Sequence, residues 1–109
     1  MQPSLDQTFA ALADPTRREV IRVLRKGPRR ASDLADALDA SKPAMSRHLR
    51  VLRSAGLVDI DTGDDARERV YTLAPRPFAQ LREWLEDVEQ FWTLQLDAFK
   101  DHVERTRKR

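Results

Sequence analysis

The chain has 109 residues, enough for one domain with a modest core, and its 20 basic and 18 acidic residues leave a formal charge of only +2, too small to indicate a class of partner. It contains no cysteine, which excludes disulfides, thiol redox chemistry and thiolate metal sites. No apolar run approaches the roughly 20 residues that span a membrane and the N-terminus lacks a secretory signal, so we expect a soluble, cytoplasmic protein with no membrane partner.

A first amphipathic helix is predicted near the N-terminus. Leu5, Phe9 and Leu12 recur at the i, i+4 and i+7 spacing of one helix face. The pattern ends near Ala13, so we expect the helix to end there, just before an Asp-Pro pair.

A second helix is predicted to begin at this pair. Asp14 is a typical N-cap, and Pro15 suits the first helical position because its missing N–H would be unpaired there in any case. We expect the helix to run to about Lys26, where Gly27 and Pro28 stop it. Its buried face should comprise Val20, Ile21 and Leu24.

Residues 32–38 (SDLADAL) are typical of a short helix for which Ser32 is the expected N-cap. Asp39 and Ala40 then form a tight turn, and another helix follows directly. A short helix, a three- to four-residue turn and a second helix form a helix-turn-helix. The inward face of the short helix should comprise Leu34, Ala35 and Leu38.

The second of these helices, residues 41–55 (SKPAMSRHLRVLRSA), has the pattern of a helix that reads DNA. Ser41 is the expected N-cap, Pro43 is tolerated in the first turn, and no Asp or Glu occurs from residue 40 to 58. A helical period of about 100° per residue separates its side chains onto two faces. The inner face comprises Met45, Leu49 and Leu52, flanked by His48 and Ala55, and the outer face comprises Lys42, Ser46, Arg50 and Arg53, beside Pro43 and Arg47. A major-groove reader requires this arrangement, because the apolar stripe docks the helix while the basic face meets phosphates and base edges.

A β-hairpin is predicted after Gly56, which is expected to end this helix. Residues 58–61 (VDID) alternate apolar and polar, residues 62–65 (TGDD) turn the chain, and the alternation resumes as far as Leu73. One face of the returning strand should carry Arg67, Arg69 and Tyr71. The expected fold class is therefore mainly α with a small β-hairpin, a winged helix-turn-helix in α-α-α-α-β-β-α order.

The last predicted helix starts at Pro75 and Pro77 and runs to about Arg105. At 1.5 Å per residue it would be roughly 43 Å long, more than the width of so small a domain. Apolar residues spaced three or four apart follow its whole length: Phe78, Leu81, Leu85, Val88, Trp92, Leu96, Phe99 and Val103, with Trp84 and Phe91 beside them. Monomers rarely expose so large an apolar patch, which favours a two-fold homodimer joined helix on helix.

In their order and spacing these segments resemble the small bacterial winged-helix repressors of the ArsR type. The matching pieces are FAALADPTRREVIRVLRKGP, SDLADALDASKPAMSRHLRVLRSAGLV and RVYTL, and FW and LDAF in the last helix resemble the subgroup without the metal-sensing motif. The resemblance covers nearly the whole chain. It implies a single DNA-binding domain over residues 1–109, with dimerisation helices at both ends. It further implies a homodimer that represses its own operon from an imperfectly palindromic double-stranded DNA operator, with an unknown small-molecule or protein effector.

By position, the resemblance implies that the DNA-facing residues are Lys42, Pro43, Ser46 and Arg47, with Arg67 and Arg69 in the wing. With Ser41 and Arg50 of the same helix, the DNA-binding set is Ser41, Lys42, Pro43, Ser46, Arg47, Arg50, Arg67 and Arg69. The apolar residues of the first and last helices form the dimerisation set, which is Leu5, Phe9, Leu85, Val88, Trp92, Leu96 and Phe99.

Three departures from the family pattern stand out. Asp39 lies where the family usually has glycine, but Asp tolerates a left-handed backbone better than most residues, so the turn is expected to survive. Ala40 replaces a larger apolar residue, which is expected to loosen the packing of the two helices. The wing tip carries Asp61, Asp64 and Asp65 where arginines are common. Because carboxylates repel phosphate, we expect wing contacts with DNA to be weak or confined to Arg67 and Arg69.

Two alternative functions stay open, a metal-responsive repressor and a winged-helix protein-interaction module. The candidate metal cluster, His102 with Asp101 and Glu104, supplies one histidine, so we interpret it as solvated charge and expect neither a metal nor another cofactor. We expect His48 to be packed and hydrogen-bonded rather than a ligand.

An interaction module would carry acidic or apolar residues on the outer face of helix 41–55, which is basic and polar. Neither a nucleophile–base pair nor a glycine-rich phosphate loop is recognisable, so we predict no enzyme.

Overall fold

The computed structural model of the chain describes residues 4–61 and 69–107. The helices are α1 (Leu5–Leu12), α2 (Pro15–Leu24), α3 (Ala31–Ala37), α4 (Lys42–Ser54) and α5 (Pro75–Arg107), and the strands are β1 (Arg29–Arg30), β2 (Val58–Asp61) and β3 (Val70–Leu73). The predicted fold class, mainly α with a small β-hairpin after a helix-turn-helix, is confirmed. Contacts divide the chain into two units, Met1–Phe78 and Ala79–Arg109, the second of which contains most of α5.

The sheet has one strand more than the sequence predicted. β3 lies between β1 and β2, and both pairings are antiparallel. Arg29 pairs with Tyr71, so the segment after α2 joins the wing instead of forming only a loop. A strand of two arginines shows no alternation of apolar and polar residues, which is why the period-two pattern of the hairpin did not reveal it. The predicted wing turn at residues 62–65 and Arg67 lie outside the described residues.

The core lies where α2, α3 and α4 meet β2. Its fully buried side chains include Val20, Leu34, Met45, Leu49, Leu52, Leu57 and Val58. From α1 the core receives Thr8 and Ala11, whereas Phe9 is 38% exposed and Leu5 and Leu12 are only partly buried. The Thr8 hydroxyl donates to the carbonyl of Ser4 at 3.4 Å, so burying this polar side chain leaves no unpaired group.

The start of α3 differs from the prediction. Ser32 is not the N-cap, because the helix already begins at Ala31 with Arg30 in the cap position and no side-chain cap bond. Pairing with β3 holds Arg30 in extended backbone, so the first helical residue follows directly and Ser32 falls inside the first turn. The guanidinium of Arg30 instead contacts the carboxylate of Asp33 at 3.3 Å.

The turn of the helix-turn-helix forms as predicted, with Asp39 at φ +52°. The N–H of Asp39 donates to Asp36 O at 3.4 Å and that of Ala40 to Ala35 O at 2.9 Å, which closes α3 in the motif that normally takes a left-handed glycine. The Ser41 hydroxyl then caps α4 by accepting from the N–H of Ala44 at 3.2 Å.

The far end of α4 closes in the same way, with a glycine. Gly56 has φ +75°, its N–H donates to Arg53 O, and the N–H of Leu57 donates to Leu52 O, both at 2.9 Å. Gly56 therefore ends the helix as predicted and directs the chain into β2.

The helix α5 is 33 residues long, about 50 Å at 1.5 Å per residue. It begins at Pro75, because an N–H in the first turn of a helix has no partner within the helix and proline, which has no N–H, is therefore tolerated there. It ends two residues beyond the predicted Arg105. In the part of the chain that the structure describes, no helix combines the length and apolar character of a membrane span.

The left-handed turn generates a stability test. Replacing Asp39 with Gly should raise the free energy of unfolding by up to about 1 kcal/mol, because glycine adopts positive φ without the steric cost that a Cβ brings. Asp36→Gly, inside α3, is the matched control and should lower the same quantity by roughly 0.3 kcal/mol, the difference in helix propensity between Asp and Gly. Urea unfolding of the three proteins measures both values. Equal destabilisation by the two glycines would contradict the geometry of this turn.

Candidate nucleic-acid interface

The helix α4 presents its two predicted faces as expected. Met45, Leu49 and Leu52 are at most 1% exposed. The polar and cationic side chains of the opposite face are all exposed: Lys42, Ser46, Arg47, Arg50 and Arg53. The helix therefore shows solvent a cationic surface with no carboxylate of its own.

The N-terminal end of α4 adds a second source of positive potential. Ser41, Lys42 and Pro43 are exposed there, and Pro43 occupies a position whose N–H would have no partner inside the helix. The unpaired N–H groups of a helix start carry a partial positive charge and favour anions. Residues Ser41, Lys42, Pro43, Ser46, Arg47 and Arg50 of the predicted DNA-binding set thus share one exposed helix face.

A cleft of about 220 Å³ separates α4 from the wing. From α4 it is lined by Ser46, Leu49, Arg50 and Arg53, and from the sheet by Ile60, Arg69 and Tyr71. The cleft brings Arg69 to the same surface as Arg50, and it adds Arg53, which sequence reasoning placed on the outer face without including it in the DNA-binding set. Asp59 and Asp61 alternate with Ile60 along β2 and do not line this cleft.

A polar junction beneath this surface joins α1, α2 and α4. Asp14 Oδ1 accepts from the N–H groups of Thr16 and Arg17 at 2.8 and 3.1 Å. The guanidinium of Arg17 donates to the carbonyls of Ala11 and Ala10, at 2.6 and 3.2 Å, in the last turn of α1. Its third nitrogen lies 3.5 Å from His48 Nδ1.

His48 is the residue of α4 that completes this junction. Its side chain is 21% exposed and its hydrogen-bond partner is Arg17, which confirms the expectation of a packed, hydrogen-bonded histidine. Asp14 Oδ1 lies 4.0 Å from the same Nδ1. The role of Arg17 was missed because the sequence shows it only as one of several arginines on α2. Its position at the third residue after the Asp14 cap was the available signal.

The same junction lowers the pKa of the Asp14 carboxyl. The backbone N–H of Arg17 is the largest cause, and the N–H of Thr16 and the charges of His48 and Arg17 add to it against the opposing effect of burial. An N-cap that remains ionised keeps its hydrogen bonds to the start of α2.

The predicted dimerisation residues divide between the two end helices. On α5, Leu85, Trp92, Leu96 and Phe99 are 50–67% exposed, and Val88 is partly buried. The ring of Phe91 packs edge-to-face on that of Trp92 at 6.0 Å between centroids, which widens the apolar stripe. On α1, Phe9 is exposed and Leu5 is partly buried.

The candidate metal cluster on α5 does not assemble within the described residues. Across residues 4–61 and 69–107, no three His, Asp or Glu side chains are grouped so as to hold a metal ion. Asp101 and His102 use their backbone carbonyls locally, as acceptors from Arg105 and Thr106.

Comparisons with known proteins agree with this geometry. Residues 14–59 match the family model described as bacterial regulatory protein, arsR family. The chain is 40% identical over 102 residues to the HTH-type transcriptional regulator Rv2034 of Mycobacterium tuberculosis, a match that spans 93% of this chain and 90% of that protein. It is 39% identical over 76 residues to the HTH-type transcriptional repressor SmtB of the same species, which spans 69% of this chain and 54% of that repressor. Among solved structures, an ArsR-like transcriptional regulator from Rhodococcus sp. RHA1 has a TM-score of 0.74 at 33% identity, over 89% of this chain and 90% of that one.

The Asp14 cap generates a prediction about pH. Asp14→Ala should lower the free energy of unfolding near neutral pH, because the N–H groups at the start of α2 lose their acceptor. The folded-state pKa lies below the ordinary 3.8, so the ionised form stabilises the fold above that value and its contribution is lost as pH falls through the depressed pKa. The difference between wild type and Asp14→Ala in urea unfolding should therefore shrink from about pH 7 to about pH 2.

Asp14→Asn is the matched control, because an amide oxygen accepts the same hydrogen bonds without titrating. The difference in the free energy of unfolding between the Asn and Ala variants should stay constant over this pH range. If the difference between wild type and Asp14→Ala also stays constant, the prediction of an ionised Asp14 cap is contradicted.

Proposed function

The chain belongs to the ArsR family of bacterial regulatory proteins, which are DNA-binding transcription regulators and not enzymes, and from this premise we propose that it acts as a homodimeric repressor of its own operon. In this proposal α4 of each protomer enters the major groove of one half of a palindromic operator. The exposed, acid-free cationic face of α4, held outward by a buried apolar stripe, is the observation that carries the proposal.

The start of α4 is the base-reading region in this proposal. Ser41, Lys42 and Pro43 present the helix end to the phosphate backbone, and Ser46 and Arg47 lie one turn further along the exposed face. A guanidinium can pair with O6 and N7 of one guanine, which makes Arg47 the candidate for direct readout.

The wing and the second half of α4 supply phosphate contacts. Arg50, Arg53 and Arg69 line one cleft, and a groove with several cations and no lining carboxylate suits the polyanionic backbone. Arg67 belongs to this proposed set by the family resemblance, although it lies outside the described residues.

Dimerisation supplies the second reading helix. The apolar stripe of α5 carries four large side chains that are at least half exposed in the single chain, and burying them against a second copy removes that surface from water. A closed two-fold pair places two copies of α4 in register with two half-sites. We include Leu5 and Phe9 of α1 in this interface.

The reading helix generates the first functional test. In fragments selected from genomic DNA by the purified protein, half-sites should be centred about 10 base pairs apart or a multiple of that. Arg47→Ala should cost about 1–3 kcal/mol per contact on the selected operator and relax the preference at one position of each half-site. Arg69→Ala should weaken binding to operator and random DNA alike and reduce the slope of log affinity against log salt by about one.

Arg82→Ala is the matched control, because it removes one exposed arginine from α5, outside α4 and the wing. Operator affinity of this variant should equal that of wild type. If Arg47→Ala and Ser46→Ala both bind the operator and random DNA with wild-type affinity, α4 is not the helix that reads DNA.

The α5 stripe generates the second functional test. Trp92→Glu or Phe99→Glu should cost the dimer several kcal/mol, because each places an unpaired charge in the helix pair. Sedimentation velocity at micromolar concentration should show a wild-type dimer and monomeric variants with weakened operator binding. Gln90→Glu adds the same charge away from the stripe and should leave the dimer intact. A wild-type monomer would refute the proposed assembly.

A further inference from the structure

A groove outside the DNA-facing surface lies between α2, β3 and the first turn of α5. Its volume is about 520 Å³, within the range of sites that hold small molecules. The lining is Arg18, Ile21, Arg22, Arg25, Leu73, Pro75 and Phe78. Ile21, Leu73 and Phe78 are partly buried and form an apolar floor against the core.

The rim of the groove is cationic. Arg18, Ile21, Arg22 and Arg25 recur at i, i+3, i+4 and i+7. The helix α2 and its C-cap residue Arg25 therefore turn one isoleucine and three guanidinium groups toward the same space. The lining described contains no carboxylate. An apolar floor below a one-sided positive rim is complementary to a molecule with an apolar body and one negative group.

The three arginines differ in how far they are already engaged. Arg18 donates to the carbonyl of Leu12 at 2.8 Å, and Arg22 pairs with the carboxylate of Glu19 at 2.6 Å. Within residues 4–61 and 69–107 the exposed guanidinium of Arg25 has no hydrogen-bond or ion-pair partner. An anion at Arg25 therefore gains a new pair without breaking an existing one.

We propose that this α2–β3 groove is an effector site for an amphipathic carboxylate, whose apolar chain lies on Ile21, Leu73 and Phe78 and whose carboxylate pairs with Arg25. The inference rests on the proposed function, because an effector needs a DNA-binding activity to control. The groove suits that role because α2 also carries Arg17, which contacts His48 of α4, and because β3 follows directly after Arg69.

Titration calorimetry without DNA tests the site itself. Decanoate is the probe, and decanol, which has the same chain without the charge, is the paired comparison. We expect saturable binding of one decanoate per chain and binding of decanol at least about tenfold weaker, because a charge-assisted hydrogen bond contributes roughly 1.5 kcal/mol or more.

Two variants separate the rim from the floor. Arg25→Gln should weaken decanoate binding by about tenfold and leave decanol binding unchanged. Ile21→Trp fills the groove from a partly buried position and should abolish binding of both probes. Arg82→Gln, which removes an exposed arginine outside the lining, should bind decanoate as wild type does. Circular dichroism of each variant establishes that it is folded.

A DNA-binding assay then separates this inference from the function on which it rests. With an intact site, saturating decanoate should change operator affinity at least fivefold in wild type and not in Ile21→Trp. The effector site alone would be overturned if operator binding without decanoate is normal and calorimetry detects no decanoate binding. It would likewise be overturned if wild type and Ile21→Trp bind decanoate equally well. Loss of the dimer in Arg25→Gln or Ile21→Trp would also overturn it, by showing that the groove is covered by a second copy. Absence of any selected operator would instead overturn the proposed function.

Discussion

Burial of one apolar stripe on α4 determines which side chains can face DNA. Met45, Leu49 and Leu52 are almost fully buried, and each contributes about 1.5–3 kcal/mol when removed from water. Because a helix has 3.6 residues per turn, rotating α4 by one residue would expose leucine and press an unpaired guanidinium into the core. Apolar packing, and not charge, therefore fixes the direction of the cationic face.

The stripe sets the rotation of α4, and the polar junction sets its position against the other helices. Arg17 satisfies two carbonyls at the end of α1 and reaches His48, while its backbone N–H holds Asp14 in the cap of α2. Carbonyls at a helix end need partners, and a guanidinium can serve several at once because its donors lie in one plane. A single ordered arginine side chain therefore joins α1, α2 and α4.

Periodic and capping signals predicted most of the fold, because the interactions behind them are local. Asp14, Ser41, Asp39 and Gly56 act within four residues of themselves, and the structure confirms all four roles. Non-local interactions produced the errors. Pairing with β3 converts Arg29 and Arg30 into a strand and displaces the start of α3 from Ser32, and no pattern within those residues reports a partner 40 positions away. The candidate site divides in the same way. The exposed face of α4 could be predicted from the helical period of its own residues, whereas the cleft that contains Arg69 and the junction at Arg17 form only in the tertiary fold.

The helix α2 takes part both in the polar junction with α1 and α4 and in the groove that we propose as an effector site. Arg17 is fixed to α1 and α4, and Arg18, Arg22 and the C-cap residue Arg25 line the groove with Leu73 of the wing strand. A molecule in that groove shifts DNA affinity only by the ratio of its affinities for the DNA-competent and DNA-incompetent arrangements, however tightly it binds. Contacts to α2 alone would give no such ratio, since fully buried Val20 and Leu24 anchor α2 in the core. Contact with both α2 and β3 can give it, because Leu73, the residue that β3 contributes to the groove, is only partly buried. The position of the wing relative to α2 is therefore the coordinate on which a ligand at this site would act.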